Sequence, residues 1–197
     1  MELLGTFPTS GSPGTTVRAV VARIVFAVLA WPAVLFGAPA REYQVKAVFL
    51  FNFAQFVEWP PEAFENPRSP IVIGVLGSDP FGSLLEDAVH GETAQGRPLQ
   101  VRRFSDPRAA QGCHILFLSA HEAAKVPETL AALKGRPVLT VGESEGFAVS
   151  GGMIRFVMDR GKIRLRINAN VARDAGLTLS SKLLRPAQIV DSGDAAP

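Results

Sequence analysis

The chain has 197 residues, 47% of them hydrophobic and 19% charged, with a formal net charge of +2. That length suits one domain of ordinary size with a sizeable core, and so small a net charge gives no electrostatic case for nucleic-acid binding. A single cysteine, Cys113, rules out an internal disulfide, and no group of Cys, His and acidic residues has zinc-ligand spacing, so neither a metal nor another cofactor is expected.

The N-terminus has the layout of a secretory signal. Arg18 and Arg23 precede an apolar run from Ile24 to Phe36, and Gly37-Ala38-Pro39-Ala40 puts small residues at the −3 and −1 positions of a cleavage site. The run is shorter than the roughly 20 residues needed to span a bilayer. Residues 1–40 are therefore expected to be removed after Ala40, which places the mature protein outside the cytoplasm. An uncleaved anchor is the alternative, with Ala19 to Ala22 lengthening the run and Arg23 snorkelling. Glu42 to Trp59 reads as a helix without internal Gly or Pro, stopped by Pro60-Pro61. Its centre, Ala47 to Phe53, is apolar nearly all round, so it must be covered on several sides or meet another chain.

Alternating elements follow. Ile71 to Leu76 is a strand apolar on both faces, as in a sheet covered by helices. Ser78 or Asp79 caps a helix from about Phe81 to Val89. Leu99 to Phe104 is a strand with an exposed Arg102-Arg103 pair, and His114 to Leu118 is a buried strand. A helical stretch from Glu122 to Leu133 is kinked or split at Pro127, and Pro137 to Val141 is a short strand. After Gly151-Gly152 the pattern alternates: Ile154, Phe156 and Met158, then a turn at Asp159 to Lys162, then Ile163, Leu165 and Ile167. This is an antiparallel hairpin with one apolar and one basic face. Asn168 or Asn170 caps a short helix ending at Gly176, and Ser180 or Ser181 opens a closing segment that carries Leu183-Leu184. Together these predict an α/β fold: a layered α/β/α single domain over 41–190, its mixed sheet parallel at first and closing in an antiparallel hairpin, with a disordered tail over 191–197.

Several residues could carry function. Gly142-Glu143-Ser144-Glu145-Gly146 matches a serine-hydrolase elbow, but His90, His114 and His121 all precede Ser144 and two carboxylates flank it, so it is read as an acidic turn. Gly74, Gly77 and Gly82 follow a strand without the spacing of a phosphate loop. Arg155, Arg164 and Arg166 gather on the hairpin's polar face, either as a solvated surface or as a site for an acidic partner or ligand. Lys46 and Asn52 are polar residues within the phenylalanine-rich helix. A buried ammonium needs a counter-charge, but Lys46 is expected to snorkel and Asn52 to bond to a nearby loop. Trp59 is a packing anchor or an exposed hot spot, and Cys113 is read as a small buried hydrophobe.

Three segments together resemble the YfiR-like family of exported bacterial proteins: Glu42 to Pro60, Gly151 to Phe156 with its returning strand Lys162 to Ile167, and Asn168 to Leu177 running into Ser180 to Leu184. The resemblance implies a non-enzymatic periplasmic regulator that docks to the sensor domain of a membrane-bound diguanylate cyclase and restrains it. It also implies homodimers and an outer-membrane lipoprotein able to sequester the regulator. The lone Cys113 departs from the cysteine pairs of better-known members, and Pro186 interrupts the apolar segment after Leu184. The candidate contact residues are Lys46, Phe49, Asn52, Phe53, Trp59, Arg155, Arg164 and Arg166. A small-ligand-binding sensor module is the alternative function, and a hydrolase acting through Ser144 is a remote one.

Overall fold

The computed structural model describes residues 38–194; of the signal reading over 1–40, residues 1–37 lie outside the described residues while Ala38 to Ala40 open the first helix, and the last three residues of the expected tail also lie outside. In chain order run α1 (Ala38–Phe56), β1 (Val57–Glu58), β2 (Ile71–Leu76), α2 (Leu84–Val89), β3 (Thr93–Ala94), β4 (Arg97–Phe104), β5 (Ile115–Leu118), α3 (Val126–Leu133), β6 (Leu139–Gly142), β7 (Ile154–Asp159), β8 (Lys162–Ile167), α4 (Ala169–Asp174), β9 (Thr178–Leu179), α5 (Ser181–Leu184) and β10 (Gln188–Ile189). One sheet has eight strands in the order β10-β8-β7-β6-β5-β2-β4-β3. Strands β4, β2, β5, β6 and β7 run parallel. Strand β8 returns antiparallel to β7, and β10 lies parallel to β8. The β7–β8 turn places Arg160 at φ 48° and Gly161 at φ 74°, the doubly positive backbone that matches the twist of a tight hairpin.

Helical layers cover both faces of the sheet, which is why β2, β5 and β6 are buried at every position. On one face Ile73, Phe117, Val141 and Phe156 pack with Leu50 and Phe53 of α1 and with Ala172 and Leu183 from the C-terminal segment. On the other, Val72, Leu76, Leu116 and Val138 pack with Val126 and Leu133 of α3 and with Ala110, Cys113 and Phe147. The expected α/β class and the parallel-then-hairpin sheet are both present.

Helix α1 ends at Phe56, short of Trp59. Trp59 precedes Pro60, and a residue before proline is driven toward extended backbone. The chain leaves the helix as β1, pairing antiparallel with β9 through Val57–Leu179 and Glu58–Thr178, so its backbone groups stay satisfied. Helix α2 starts only at Leu84, because Asp79 accepts from the Phe81 amide at 2.8 Å in a local turn. The Glu122–Leu133 stretch divides into a 3₁₀ turn and α3, with Pro127 in the first turn of α3. Asn168 caps α4 by accepting from the Val171 amide at 3.1 Å, and Ser180 caps α5. Asn168 also donates to the Ala148 carbonyl and to Ser192 Oγ, while Asn170 donates to Asp191, so residues 191 and 192 are tied to the domain.

Candidate functional site

Lys46 does not snorkel: it is 5% exposed. Its Nζ pairs with Glu42 one turn earlier and with Glu143, just beyond β6. Glu143 also accepts from the Tyr43 hydroxyl at 3.3 Å and from the Ala120 amide at 3.1 Å. The ammonium lies 4.5 Å from the Tyr43 ring centroid. Burial first, and the Glu143 charge second, push the Tyr43 hydroxyl up to about 12, so the phenol stays a proton donor. This cluster fastens the N-terminal half of α1 to the carboxyl ends of β5 and β6. Residue-by-residue reading missed Glu143, which looked like a mere flank of Ser144. The available signal was the demand of a buried lysine for a carboxylate.

Strands β4 and β5 flank β2 on opposite sides, which makes the carboxyl end of β2 the crevice where open α/β sheets commonly hold ligands. Here the chain's own side chains fill it. Glu122 accepts from the Ser78 amide at 3.0 Å, and a Cβ added at Gly77 would stand 2.2 Å from its carboxyl carbon. Asp79 is engaged by Arg103, whose guanidinium also pairs with Glu86, so the Arg102-Arg103 pair is not a free basic patch. A cavity lies elsewhere, between α3, α4 and the beginnings of β6 and β7. It has a volume of about 660 Å³ and is lined by Leu130, Leu133, Val138, Met153, Val171 and Ala175, with Lys134 and Asp174 also at its wall.

The eight sequence-derived contact residues separate into three groups. Phe53 is fully buried and stacks on Phe156 at 5.9 Å. Trp59 is buried and donates to the His114 carbonyl at 3.2 Å, which makes it a packing anchor; with Lys46, these two support the surface from inside. Phe49 and Asn52 are half-buried on α1. Phe49 packs on Phe53 and Phe156, while Asn52 makes no side-chain hydrogen bond among the described residues, in place of the expected loop contact. Beside them Val45 and Val48 are each 47% exposed. Positions 45, 48, 52 and 55 fall on one side of a helix, so α1 turns outward a stripe that is apolar at Val45 and Val48 and polar at Asn52 and Gln55. That period was readable, but the phenylalanines drew attention from the valines.

Arg155, Arg164 and Arg166 do gather, on the opposite sheet face. Arg155 stands directly across from Arg166, and Arg164 across from Val157. Ser144 is half-buried, and residues 145–151 run as turns, without the strand–turn–helix setting of a nucleophile elbow. Cys113 is buried, and burial pushes its thiol up to about 12, leaving an inert side chain. His114 is also buried. Its Nδ1 accepts from the Val72 amide at 3.1 Å, its Nε2 donates toward the Ala63 carbonyl at 3.2 Å, and its ring stacks on Phe64 at 4.5 Å. Burial holds its pKa below the usual histidine value.

Among known proteins, the model of the YfiR/HmsC-like family matches residues 43–188. No curated protein matches the chain. The matched span runs from the first turns of α1 into β10 and so contains the Lys46–Glu143 pair, the α1 stripe and the arginine hairpin.

Proposed function

The chain belongs to the YfiR/HmsC-like family, and from that premise we propose that it is an exported regulator that binds a membrane sensor, a diguanylate cyclase, and restrains it without chemistry of its own. The family match, which extends over nearly the whole described domain, carries this reading. Removal of residues 1–40 delivers the protein to the periplasm. The outward side of α1, with Val45, Val48, Phe49 and Asn52, is the contact surface, and Lys46, Phe53 and Trp59 hold it in shape from within. The regulator binds one conformation of the sensor better than the other and shifts the sensor's population by that difference in affinity. A second copy of the chain competes for the same stripe as a homodimer, and an outer-membrane lipoprotein that captures the regulator relieves the restraint. The test is to measure cyclic-di-GMP in a deletion strain and to capture membrane partners with the tagged protein. A raised dinucleotide level together with a captured sensor supports the proposal; an unchanged level and an empty capture contradict it.

The cavity beside α3 favours a second reading, a small-ligand sensor module, since its volume lies in the range of ligand pockets. A ligand that prefers the folded state raises the melting temperature. Thermal-shift screening against nucleotides and amino acids tests this, and no shift with either class counts against it.

A further inference from the structure

We propose that the open face of the β7–β8 hairpin, centred on Arg155 and Arg166, is an oxyanion-binding site for a carboxylate or phosphate group. The register puts these two guanidinium-bearing residues directly opposite each other, with Arg164 on the same face one pair along. Like charges in that position destabilise a ladder unless something offsets them. Elsewhere this protein supplies the offset itself: Lys46 has Glu42 and Glu143, and Arg103 has Asp79 and Glu86. Among the described residues Arg155, Arg164 and Arg166 have no ion pair, and Arg155 Nε is buried without a hydrogen-bond partner.

The surroundings keep the cluster poised. Arg166 Nε donates to Gln188 Oε1 at 3.0 Å, which anchors that side chain from β10. Burial, then the Arg166 charge, depress the pKa of Arg155; Glu145 opposes them without coming within ion-pair distance. On this face of β7 Arg155 and Val157 are half-buried and Asp159, opposite Lys162, is exposed, while Ile154 and Phe156 on the α1 face are buried, so the arginine side chains are not covered by the helical layer over β2 and β5. A planar guanidinium fork matches a carboxylate or phosphate with two parallel bonds. An arriving oxyanion thus supplies the negative charge that offsets Arg155 against Arg166. This inference does not depend on the regulatory reading, because it concerns the isolated domain.

The test uses the purified protein in chloride buffer, with inorganic phosphate or succinate added at matched ionic strength. Either anion is expected to raise the melting temperature of the wild type through linkage. At least half of that rise is expected to vanish in Arg155→Gln and in Arg166→Gln while persisting in Arg102→Gln, on β4. Whichever anion gives the larger shift identifies the natural source as phosphate-bearing or carboxylate-bearing. Equal rises in the wild type and both hairpin variants would overturn the proposal. So would hairpin variants that both melt below the wild type in chloride, since that makes the arginines structural. If Arg155→Gln does not fold, titration calorimetry of Arg166→Gln with the same two anions decides the matter.

Discussion

Lys46 buries a charge at the edge of the apolar centre of α1, and its stability rests on Glu42 one turn earlier and on Glu143 arriving from a distant loop. Breaking a buried pair on one side strands the other charge, at a cost of about 3–5 kcal/mol. Lys46→Met is therefore expected to lose on that order in urea denaturation. Lys46→Met combined with Glu143→Gln is expected to lose less than the two single changes summed, with a coupling of about 1–3 kcal/mol; strict additivity would show that the pair does not act as a unit. His114 gives the protein a pH dependence. Its folded pKa lies below the ordinary value near 6.5, so the unfolded chain takes up a proton first as the pH falls. The stability due to neutral His114 is full above that ordinary value and is lost as the pH falls toward the folded pKa. Protonation would replace the Nδ1 acceptor of the Val72 amide with a second donor. His114→Asn is expected to be less stable at neutral pH but to show a flatter loss between about pH 7 and 5; an unchanged slope would assign the acid sensitivity to other groups.

At the level of elements, the segment after β6 is shaped by Phe147. Its ring lies where side chains on Gly142 and Gly152 would stand, with a Cβ on Gly152 only 2.2 Å from a ring carbon and 2.7 Å from the Phe147 carbonyl oxygen. Gly152→Ala is expected to cost about 1–3 kcal/mol by overpacking. Gly112→Ala, with nothing within 4 Å of the added carbon, should stay within about 0.5 kcal/mol of the wild type; similar losses in both would mean that Phe147 yields freely. The hairpin was legible because alternation and a turn residue are local signals, and the register puts Ile154, Phe156 and Met158 opposite Ile167, Leu165 and Ile163 as the pattern implies. The end of α1 was not legible. Its exit depends on β9, more than a hundred residues later in the chain, and no local pattern announces that pairing. The Lys46–Glu143 pair was hidden for the same reason, although the need for such a partner was visible.

Across the whole molecule, the three segments that carried the family resemblance converge on one region. Phe49 and Phe53 of α1 meet Phe156 of the hairpin, while β9 and Leu183 close over the end and flank of the helix. The α/β class and the helical layers followed from buried strands alternating with helices; the strand order, with β2 between β4 and β5, did not. The cavity did not, because it forms where α3 and α4 meet on a face defined only by the assembled sheet. What remains outward on α1 is the stripe around Val48. The most direct measurement is the cyclic-di-GMP level of a deletion strain complemented either with the wild-type gene or with Val48→Glu, after confirming that both proteins are exported and melt alike. The account expects deletion to raise the level, the wild type to restore it, and Val48→Glu to leave it raised. A deletion that changes nothing, or a Val48→Glu protein that restores the level as fully as the wild type, would contradict it.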